Sequence, residues 1–365
     1  MKLTTTQLPQ QEINVFRNDK TKTPLIALAG QPNTGKSTLF NLLTGMNQHV
    51  GNWPGKTVER KQGEFILGER KITLVDLPGT YSLTANSPEE IITREFILRE
   101  QPDVVIAVIS AATLERSLYL VAELIALPTP LVIALNMVDV AEQEGLHVEA
   151  EVLQAALGIP VVPITATRAR GISDLLHVVE QTLSGMHTPP VRLPEIRADH
   201  RHALEQIISL ITGNVPPPYP SDWIALKLLE GDAEITKMMR STLQAEKWEA
   251  IHNVLRDHDD ALLAVASGRY EWVGRMVRAA VVRPRTGQIS LTERIDRWAT
   301  HPVGGLIVLA GVLGIVFGLT FTVGAPLQNL LETMVVEKLA KAAETYLAAY
   351  PGWFTSLIIE GVIGG

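Results

Sequence analysis

The stretch LIALAGQPNTGKSTLFNLL, residues 25–43, joins an apolar run, a glycine-containing loop and the beginning of a helical pattern. Residues 25–29 are aliphatic and fit a buried strand, and residues 38–43 fit a helix. A loop of the form GxxxxGK[ST] between a strand and a helix is typical of a phosphate-binding loop. The stretch therefore predicts an α/β fold with a polyphosphate site at the end of its first strand.

Each residue type in this loop suits that chemistry. The expected phosphate-binding residues are Gly30, Gln31, Pro32, Asn33, Thr34, Gly35, Lys36, Ser37 and Thr38. Glycines let backbone N–H groups curl around a polyphosphate at a helix N-terminus. Lys36 is expected to neutralise charge on the β- and γ-phosphates, and the Ser37 hydroxyl to ligate magnesium. The alternative, an ordinary glycine turn, is disfavoured by the strand, loop and helix context.

Further apolar runs alternate with amphipathic stretches up to about residue 183. They occupy residues 72–75, 104–109, 131–135 and 161–164. Aliphatic strands separated by helices are typical of a mostly parallel sheet that is covered on both faces. Residues 63–74 alternate around Gly68 and predict one antiparallel hairpin added to that sheet. We expect this α/β domain at residues 24–185, after a flexible tail at 1–23.

The motif Asp76-Leu77-Pro78-Gly79 ends the next apolar strand. It places Asp76 where its carboxylate can hold magnesium through water, and the Gly79 N–H where it can meet the γ-phosphate. We expect these four residues to form a second switch segment.

A first switch segment is expected between the loop and this motif, in the glycine-rich residues 51–59. Its predicted members are Gly55, Lys56 and Thr57. Thr57 is the only threonine of the stretch and can complete the magnesium shell, the alternative being a solvated loop threonine. Lys36, Thr57 and Gly79 are the candidate catalytic residues.

Asn136-Met137-Val138-Asp139 follows the strand at 131–135, so its side chains should emerge at the carboxyl edge of the sheet, where ligands bind. The Asp139 carboxylate can accept hydrogen bonds from N1 and N2 of guanine. Adenine offers no matching donors and would leave the carboxylate unpaired, a loss of a few kcal/mol. Thr165-Ala166-Thr167 follows the last strand, and we expect the Ala166 N–H at guanine O6. Together the motifs predict a Ras-like P-loop domain that binds and hydrolyses GTP.

The second half of the chain lacks the alternation of short aliphatic runs with helical stretches. Helical periodicity predicts a small all-helical domain at residues 186–282, followed by an arginine-bearing linker at 283–300. No charged residue occurs between His301 and Glu332, and residues 303–323 are almost wholly aliphatic, which predicts a transmembrane helix at 301–325. The alternative is a buried helix of a soluble protein. Four arginines precede the span and predict that the α/β domain lies on the cytoplasmic side.

Composition excludes several classes of protein. The 365 residues exceed one typical domain, and a formal charge of −7 disfavours a nucleic-acid partner, whose phosphates need a basic face. The chain has no cysteine, so neither disulfides nor cysteine-ligated zinc or iron–sulfur sites can form within it.

The sequences of the nucleotide-binding motifs resemble those of the ferrous iron transport protein B (FeoB) family. The stretches that carry the resemblance are GQPNTGKSTLFNLLTG, VGNWPGKTVE, DLPGTYSL and NMVD. LLEGD at 228–232 resembles that family's helical domain, which is credited with modulating GDP release. IDRWATHPVGG at 295–305 resembles the entry to its first transmembrane helix, and EGVIGG at 360–365 resembles the start of the segment that continues into the permease. We therefore expect residues 326–365 to be the start of a truncated permease region. The resemblance implies a GTPase that regulates or drives ferrous iron uptake at the bacterial cytoplasmic (inner) membrane.

Two positions depart from ordinary Ras-like patterns. Met137 replaces the lysine of the NKxD motif, which implies weaker nucleotide binding. Thr80 stands where Ras-like proteins place the glutamine that orients the attacking water. The family resemblance implies that Asn33 helps to hold a potassium ion near the phosphates, the alternative being a loop-capping amide. The implied cofactors are Mg²⁺ and, as an activator, K⁺.

The implied partners are GTP or GDP, the membrane and the remaining permease helices, with a FeoA-like small protein and a second copy of the chain as further options. One span cannot by itself enclose a polar pathway. The spacing of Gly314 and Gly318 permits close packing on another membrane helix, although glycines are common in such spans. A membrane-tethered signalling or assembly GTPase without a transport role is the alternative function, because motif chemistry does not separate the two.

Overall fold

The computed structural model describes residues 23–45, 48–54, 56–84, 87–185, 192–282, 296, 298–347 and 351–363. The chain divides into two compact units, Met1–Pro284 and Arg285–Gly365, and each is described by itself.

The first unit contains an α/β domain built on a mostly parallel sheet. The strands of this unit are β1 (Leu25–Gly30), β2 (Gln48–Asn52), β3 (Glu59–Leu67), β4 (Arg70–Asp76), β5 (Val104–Ser110), β6 (Leu131–Asn136), β7 (His147–Val148), β8 (Val161–Pro163) and β9 (Val281–Val282). Seven of them form one sheet in the order β2-β3-β4-β1-β5-β6-β8. The pairings among β4, β1, β5, β6 and β8 are parallel, and those of β2 with β3 and β3 with β4 are antiparallel. The expected fold class and the added hairpin are confirmed.

Helices cover both faces of this sheet. They are α1 (Lys36–Thr44), α2 (Pro88–Glu100), α3 (Leu114–Leu124), α4 (Val138–Gln143), α5 (Ala150–Leu157) and α6 (Ile172–Leu183), with a 3₁₀ turn at Ala166–Arg168. Every residue of β5 and β6 is buried, which explains their unbroken aliphatic runs. The Ser87 hydroxyl accepts the Glu90 N–H and Pro88 opens the first turn, so α2 begins with a regular N-cap.

Edge strand β2 was not predicted. Residues 51–59 read as a loop in the sequence, but Gly51 and Asn52 belong to β2, which pairs with β3. Its residues are exposed apart from the half-buried Gln48. A strand that packs neither face against a core carries no alternation of apolar and polar residues, so its sequence gives no strand signal.

The helical domain packs against one face of the α/β domain. Its helices are α7 (Ala198–Ile211), α8 (Ser221–Leu229), α9 (Ala233–Thr242), α10 (Ala245–Arg256) and α11 (Ala261–Ala280). One core cluster contains residues of the sheet together with Trp223 of α8 and Trp272 of α11. The expected helical domain is confirmed, and at its end the two-residue strand β9, which was not predicted, pairs antiparallel with β7. Two-residue strands are too short to show periodicity.

The second unit is mainly one long helix. Helical segments follow one another as α12 (Pro302–Leu319), α13 (Ala325–Leu331) and α14 (Glu337–Leu347), joined by π-helical turns at Thr320–Gly324 and Glu332–Val336. A shorter helix, α15 (Gly352–Ser356), precedes a last π-helical stretch at Leu357–Ile363. Residues Pro302–Gln328 are long and apolar enough to cross a membrane. The helix runs on to Leu347, so the predicted boundary at 325 marks a change in composition and not a helix end.

Candidate nucleotide-binding site

The loop after β1 is shaped by close approaches that only glycine allows. A Cβ on Gly30 would lie 2.5 Å from the Val108 carbonyl oxygen. Gly35 has φ 86° and a Cβ there would lie 2.1 Å from Asn136 Nδ2. The loop therefore curls tightly at the carboxyl edge of the sheet and leads directly into α1.

Some of the remaining loop residues are exposed at the opening of the loop, and others are buried and hold the loop in place. Pro32, Asn33, Ser37 and Thr38 are exposed, and the Asn33 backbone has φ 64°. Thr34 and Gln31 are buried. The Thr34 hydroxyl donates to the Gln31 carbonyl at 2.9 Å, and Gln31 Nε2 donates to the Arg116 carbonyl at 2.6 Å. The Gln31 side chain thus braces the loop against α3.

Lys36, Ser37 and Asp76 meet at the end of β4. Lys36 Nζ lies 2.5 Å from Asp76 Oδ1, and the Ser37 hydroxyl donates to Asp76 Oδ2 at 3.2 Å. Lys36 and Asp76 are buried. A hydroxyl and a carboxylate side by side are the hard oxygen donors that Mg²⁺ prefers, so the residues present suit that ion.

Asn136 joins two of the predicted loops. Its Nδ2 donates to the Thr34 carbonyl at 2.8 Å, and its Oδ1 accepts the Ala166 N–H at 3.0 Å. The Ala166 N–H, expected at guanine O6, is therefore engaged by Asn136 in this structure. Thr165 is buried beside it and Thr167 is exposed.

Asp139 lies in the first turn of α4, with its side chain 23% exposed. Arg168 Nη2 lies 3.6 Å from Asp139 Oδ2. This neighbour was not predicted, although a basic residue directly after Thr165-Ala166-Thr167 was a signal for it. Met137 has φ 61°, and its Cε lies 3.9 Å from the position that a Cβ on Gly35 would take. Met137 therefore packs over the phosphate loop through its apolar stem.

The structure does not bring the first switch segment to the loop. Thr57 and Lys56 are exposed in the bend before β3, and no hydrogen bond joins Thr57 to Ser37 or Asp76. Gly55 lies outside the described residues. Trp53 anchors the segment instead: it is buried, its ring lies edge-on to Phe96 at 5.5 Å, and Arg60 stacks over it at 5.0 Å. A single aromatic residue in a glycine-rich stretch was the available signal.

The second switch segment lies directly against the loop. A Cβ on Gly79 would lie 3.1 Å from the Pro32 nitrogen, and the Thr80 N–H donates to the Gly30 carbonyl at 3.2 Å. Leu77 N–H donates to the Leu28 carbonyl at 3.0 Å, and the Pro78 carbonyl accepts the Thr93 hydroxyl at 3.3 Å. The Thr80 hydroxyl is buried and has no hydrogen-bond partner among the described residues.

A cluster of four buried charges lies behind this segment, between α3 and the helical domain. Its members are Glu123, Lys227, Glu230 and Arg269. Arg269 Nη1 lies 3.0 Å from Glu123 Oε1, and Arg269 Nη2 also binds Glu230. Lys227 Nζ lies 2.7 Å from Glu230 and 3.8 Å from Glu123. We call these four residues the interdomain charge cluster.

The cluster is neutral as a whole and is connected to the switch segment. Glu123 Oε2 accepts the Leu83 N–H, and Lys227 Nζ donates to the Thr84 hydroxyl at 3.4 Å. Burial lowers the pKa of Arg269, but the Glu123 and Glu230 carboxylates raise it by more, so it lies above its usual value. Arg269 is thus held charged. None of the four was predicted, because three of the four pairs join residues far apart in the chain and the fourth, Lys227 with Glu230, looks like an ordinary surface pair on a helix.

Comparisons with known proteins agree with this geometry. The sequence profile described as "Ferrous iron transport protein B" matches residues 24–179, and that of the "FeoB cytosolic helical domain" matches residues 199–282. The Fe(2+) transporter FeoB of Escherichia coli is 33% identical over 353 residues, which cover 93% of this chain and 44% of the relative. The corresponding protein of Salmonella typhimurium is 34% identical over 354 residues. The chain thus spans less than half the length of these relatives.

Solved structures resemble the first unit. A GDP-bound mutant of S. thermophilus FeoB superposes with a TM-score of 0.65 at 33% identity, covering 71% of this chain and 100% of that one. The cytosolic domain of L. pneumophila FeoB gives 0.62 at 35% identity, covering 71% and 99%. The cytosolic domain of the T. maritima FeoB iron transporter in apo form gives 0.62 at 31% identity, covering 72% and 100%.

Proposed function

Because this chain belongs to the ferrous iron transport protein B family, we propose that it binds GTP, hydrolyses it to GDP and phosphate, and thereby regulates or drives Fe²⁺ uptake at the bacterial cytoplasmic membrane. The observation that carries the chemical part is the convergence of Lys36, Ser37 and Asp76 under a loop that only glycines can form. Hydrolysis, the metal ions, the transported ion and the partners are parts of the proposal.

The phosphate half of the site works by neutralising charge. When GTP binds, Lys36 exchanges the Asp76 carboxylate for the β- and γ-phosphates, and Asp76 and Ser37 become available to magnesium. Magnesium bound there would offset charge that develops on the transferred phosphoryl group. A Cβ on Gly79 would lie 3.1 Å from the Pro32 nitrogen, so Gly79 is close to the loop, and its N–H would meet the γ-phosphate. Thr57 is exposed, so completing the metal shell requires the first switch segment to move.

The base half of the site selects guanine through Asp139. Its carboxylate would accept the guanine N1 and N2 hydrogens, exchanging the Arg168 guanidinium for the base. Asn136 would keep the two loops together, and Ala166 N–H would be shared between Asn136 and guanine O6. Met137 would take the packing role of the usual lysine without its charge, which weakens nucleotide binding.

A monovalent cation is proposed to supply the charge that an arginine finger brings elsewhere. Thr80 carries no amide with which to orient water, so the site needs another source of stabilisation. Asn33 is exposed at the mouth of the loop with an amide oxygen suited to K⁺.

The apolar helix at Pro302–Gln328 is proposed to tether the GTPase to the membrane, with the α/β domain in the cytoplasm. Other permease helices would cover its surface, because one helix offers no enclosed polar path. A FeoA-like small protein and a second copy of the chain are further proposed partners.

The test is ferrous iron entry into vesicles that carry this chain joined to the permease helices of its family. Uptake should require GTP, magnesium and potassium, and Lys36→Ala should abolish both uptake and phosphate release. Lys71→Ala, at an exposed surface residue, is the matched control. Phosphate release without any iron entry would overturn the transport role and favour the signalling alternative. The absence of phosphate release would overturn the GTPase assignment.

A further inference from the structure

A pocket of about 840 Å³ lies between the α/β domain and α11. One wall is formed by Gln31, by the segment from Tyr81 to Thr84 and by the beginning of α3, and the other by Leu262, Ala266 and Tyr270 of α11. Among the described residues that line it, none belongs to the guanine-reading or magnesium-binding sets. The pocket therefore adjoins the proposed nucleotide site and shares only Gln31 with it.

The charges around the pocket cancel. Its lining includes two acidic residues, Glu115 and Glu230, and two basic ones, Arg116 and Arg269. Glu230 and Arg269 are buried and bind each other within the interdomain charge cluster. A charged ligand would lose its hydration without gaining an available counter-charge among these buried groups, which is costly. The other two, Glu115 and Arg116, are exposed and of opposite charge, so they give a charged ligand no net attraction, and the pocket favours an uncharged one.

Three tyrosines, Tyr81, Tyr119 and Tyr270, line the pocket. The Tyr119 and Tyr270 rings lie 5.2 Å apart and are tilted by 44°, and the Arg116 guanidinium lies 4.4 Å from the centre of the Tyr81 ring. Tyr270 and Leu262 are 62% and 54% exposed, so apolar surface faces the opening. Planar aromatic molecules bind against the free faces and edges of such rings by offset or edge-on contacts. The volume falls in the range of about 300–1,000 Å³ that is typical of small-molecule sites.

We propose that this pocket is a second ligand site, which takes an uncharged, planar aromatic small molecule. The ligand would contact the residues that follow Gly79 on one side and α11 of the helical domain on the other. Tyrosine hydroxyls and the Thr84 and Thr113 side chains at the wall offer polar groups that can orient it. This inference does not depend on hydrolysis or on iron transport.

The experiment uses the absence of cysteine from the chain, which makes any introduced thiol unique. Ala266→Cys places a thiol on the pocket wall, and Ser267→Cys places one on the exposed neighbouring position outside the lining. Both full-length variants, in lipid nanodiscs, react with N-(2-naphthyl)maleimide or N-methylmaleimide. Partition of the reagent into lipid affects both variants equally, so their ratio reports the pocket.

We expect saturable labelling of Ala266→Cys, with a preference for the naphthyl reagent about tenfold greater than at Ser267→Cys. Naphthalene-2-carboxamide should protect Ala266→Cys, and the equally large anion naphthalene-2-carboxylate should not. Leu262→Cys, at an exposed lining position, should behave in the same way and guards against misfolding of the first variant. Linear labelling kinetics with equal preference at 266 and 267 would overturn the site. Equal protection by the carboxylate would overturn its preference for uncharged ligands.

Discussion

Arg269→Met should destabilise the first unit by about 3–5 kcal/mol, the usual cost of removing one partner from a buried ion pair. Arg269 is 7% exposed and binds two carboxylates, Glu123 and Glu230, which are each 2% exposed. Methionine keeps most of the volume but removes the positive charge, so Lys227 alone must balance two buried carboxylates. The predicted loss therefore comes from charge and not from a cavity.

Urea denaturation of residues 1–284, followed by tryptophan fluorescence, measures this loss, because three of the four tryptophans in this range, Trp53, Trp223 and Trp272, are buried. Arg256→Met, on the exposed surface of α10, should cost less than about 0.5 kcal/mol and serves as the control. A loss below about 1 kcal/mol for Arg269→Met would refute the reasoning, since a surface ion pair would account for it.

A second substitution distinguishes charge imbalance from lost packing. In Arg269→Met with Glu230→Gln, the oppositely charged Glu123 and Lys227 remain, 3.8 Å apart, so the cluster is neutral again. The double variant should be more stable than the sum of the two single losses implies, by about 1–3 kcal/mol. Strict additivity would show that the four charges do not act as a unit.

The other predictions concern the nucleotide site and its supports. Asp139→Asn should weaken GTP by several kcal/mol and favour XTP, which competition binding will show; wild-type protein that bound ATP as well as GTP would contradict the guanine assignment. Hydrolysis should be faster in potassium than in sodium, and Asn33→Ala should remove that difference while GDP binding persists; equal stimulation of both proteins would exclude Asn33 as the essential ligand. Thr80→Val should leave stability unchanged or raise it by up to about 1 kcal/mol, because the lost hydroxyl is buried and has no hydrogen-bond partner in the described part of the chain; a clear loss in urea denaturation would reveal a hidden hydrogen bond. A piece ending near Arg283 should retain GTP turnover, and loss of phosphate release in that piece would show that the membrane part assists the chemistry.

Local motifs were readable from the sequence because their residues act within one strand, loop and helix. The sequence predicted that Lys36, Ser37 and Asp76 would meet, and the structure places them together. Thr57 was predicted to join them, but the structure leaves it exposed, since its loop is held through Trp53.

Ion pairs between residues far apart in the chain could not be predicted from the sequence. Arg269 and Glu123 are 146 residues apart, and in a single sequence each could equally be a solvated surface charge. Strands β2 and β9 were not predicted for another reason. Strand β2 packs against no core, and β9 has only two residues. A strand can be predicted from alternating apolar and polar residues only when one of its faces is buried and when it is several residues long. Strand β2 lacks the buried face, and β9 lacks the length.

The pairing of β7 with β9 also has a mechanical meaning. Val281 and Val282 are the last described residues before the chain continues towards the apolar helix, and they are bonded to His147 and Val148. The Glu149 N–H adds a hydrogen bond to the Ala280 carbonyl at 2.8 Å. Tension on the chain beyond Val282 is therefore transmitted to β7, which follows α4 after a three-residue turn. Since α4 carries Asp139, such tension would reach the helix that bears the proposed guanine-binding carboxylate.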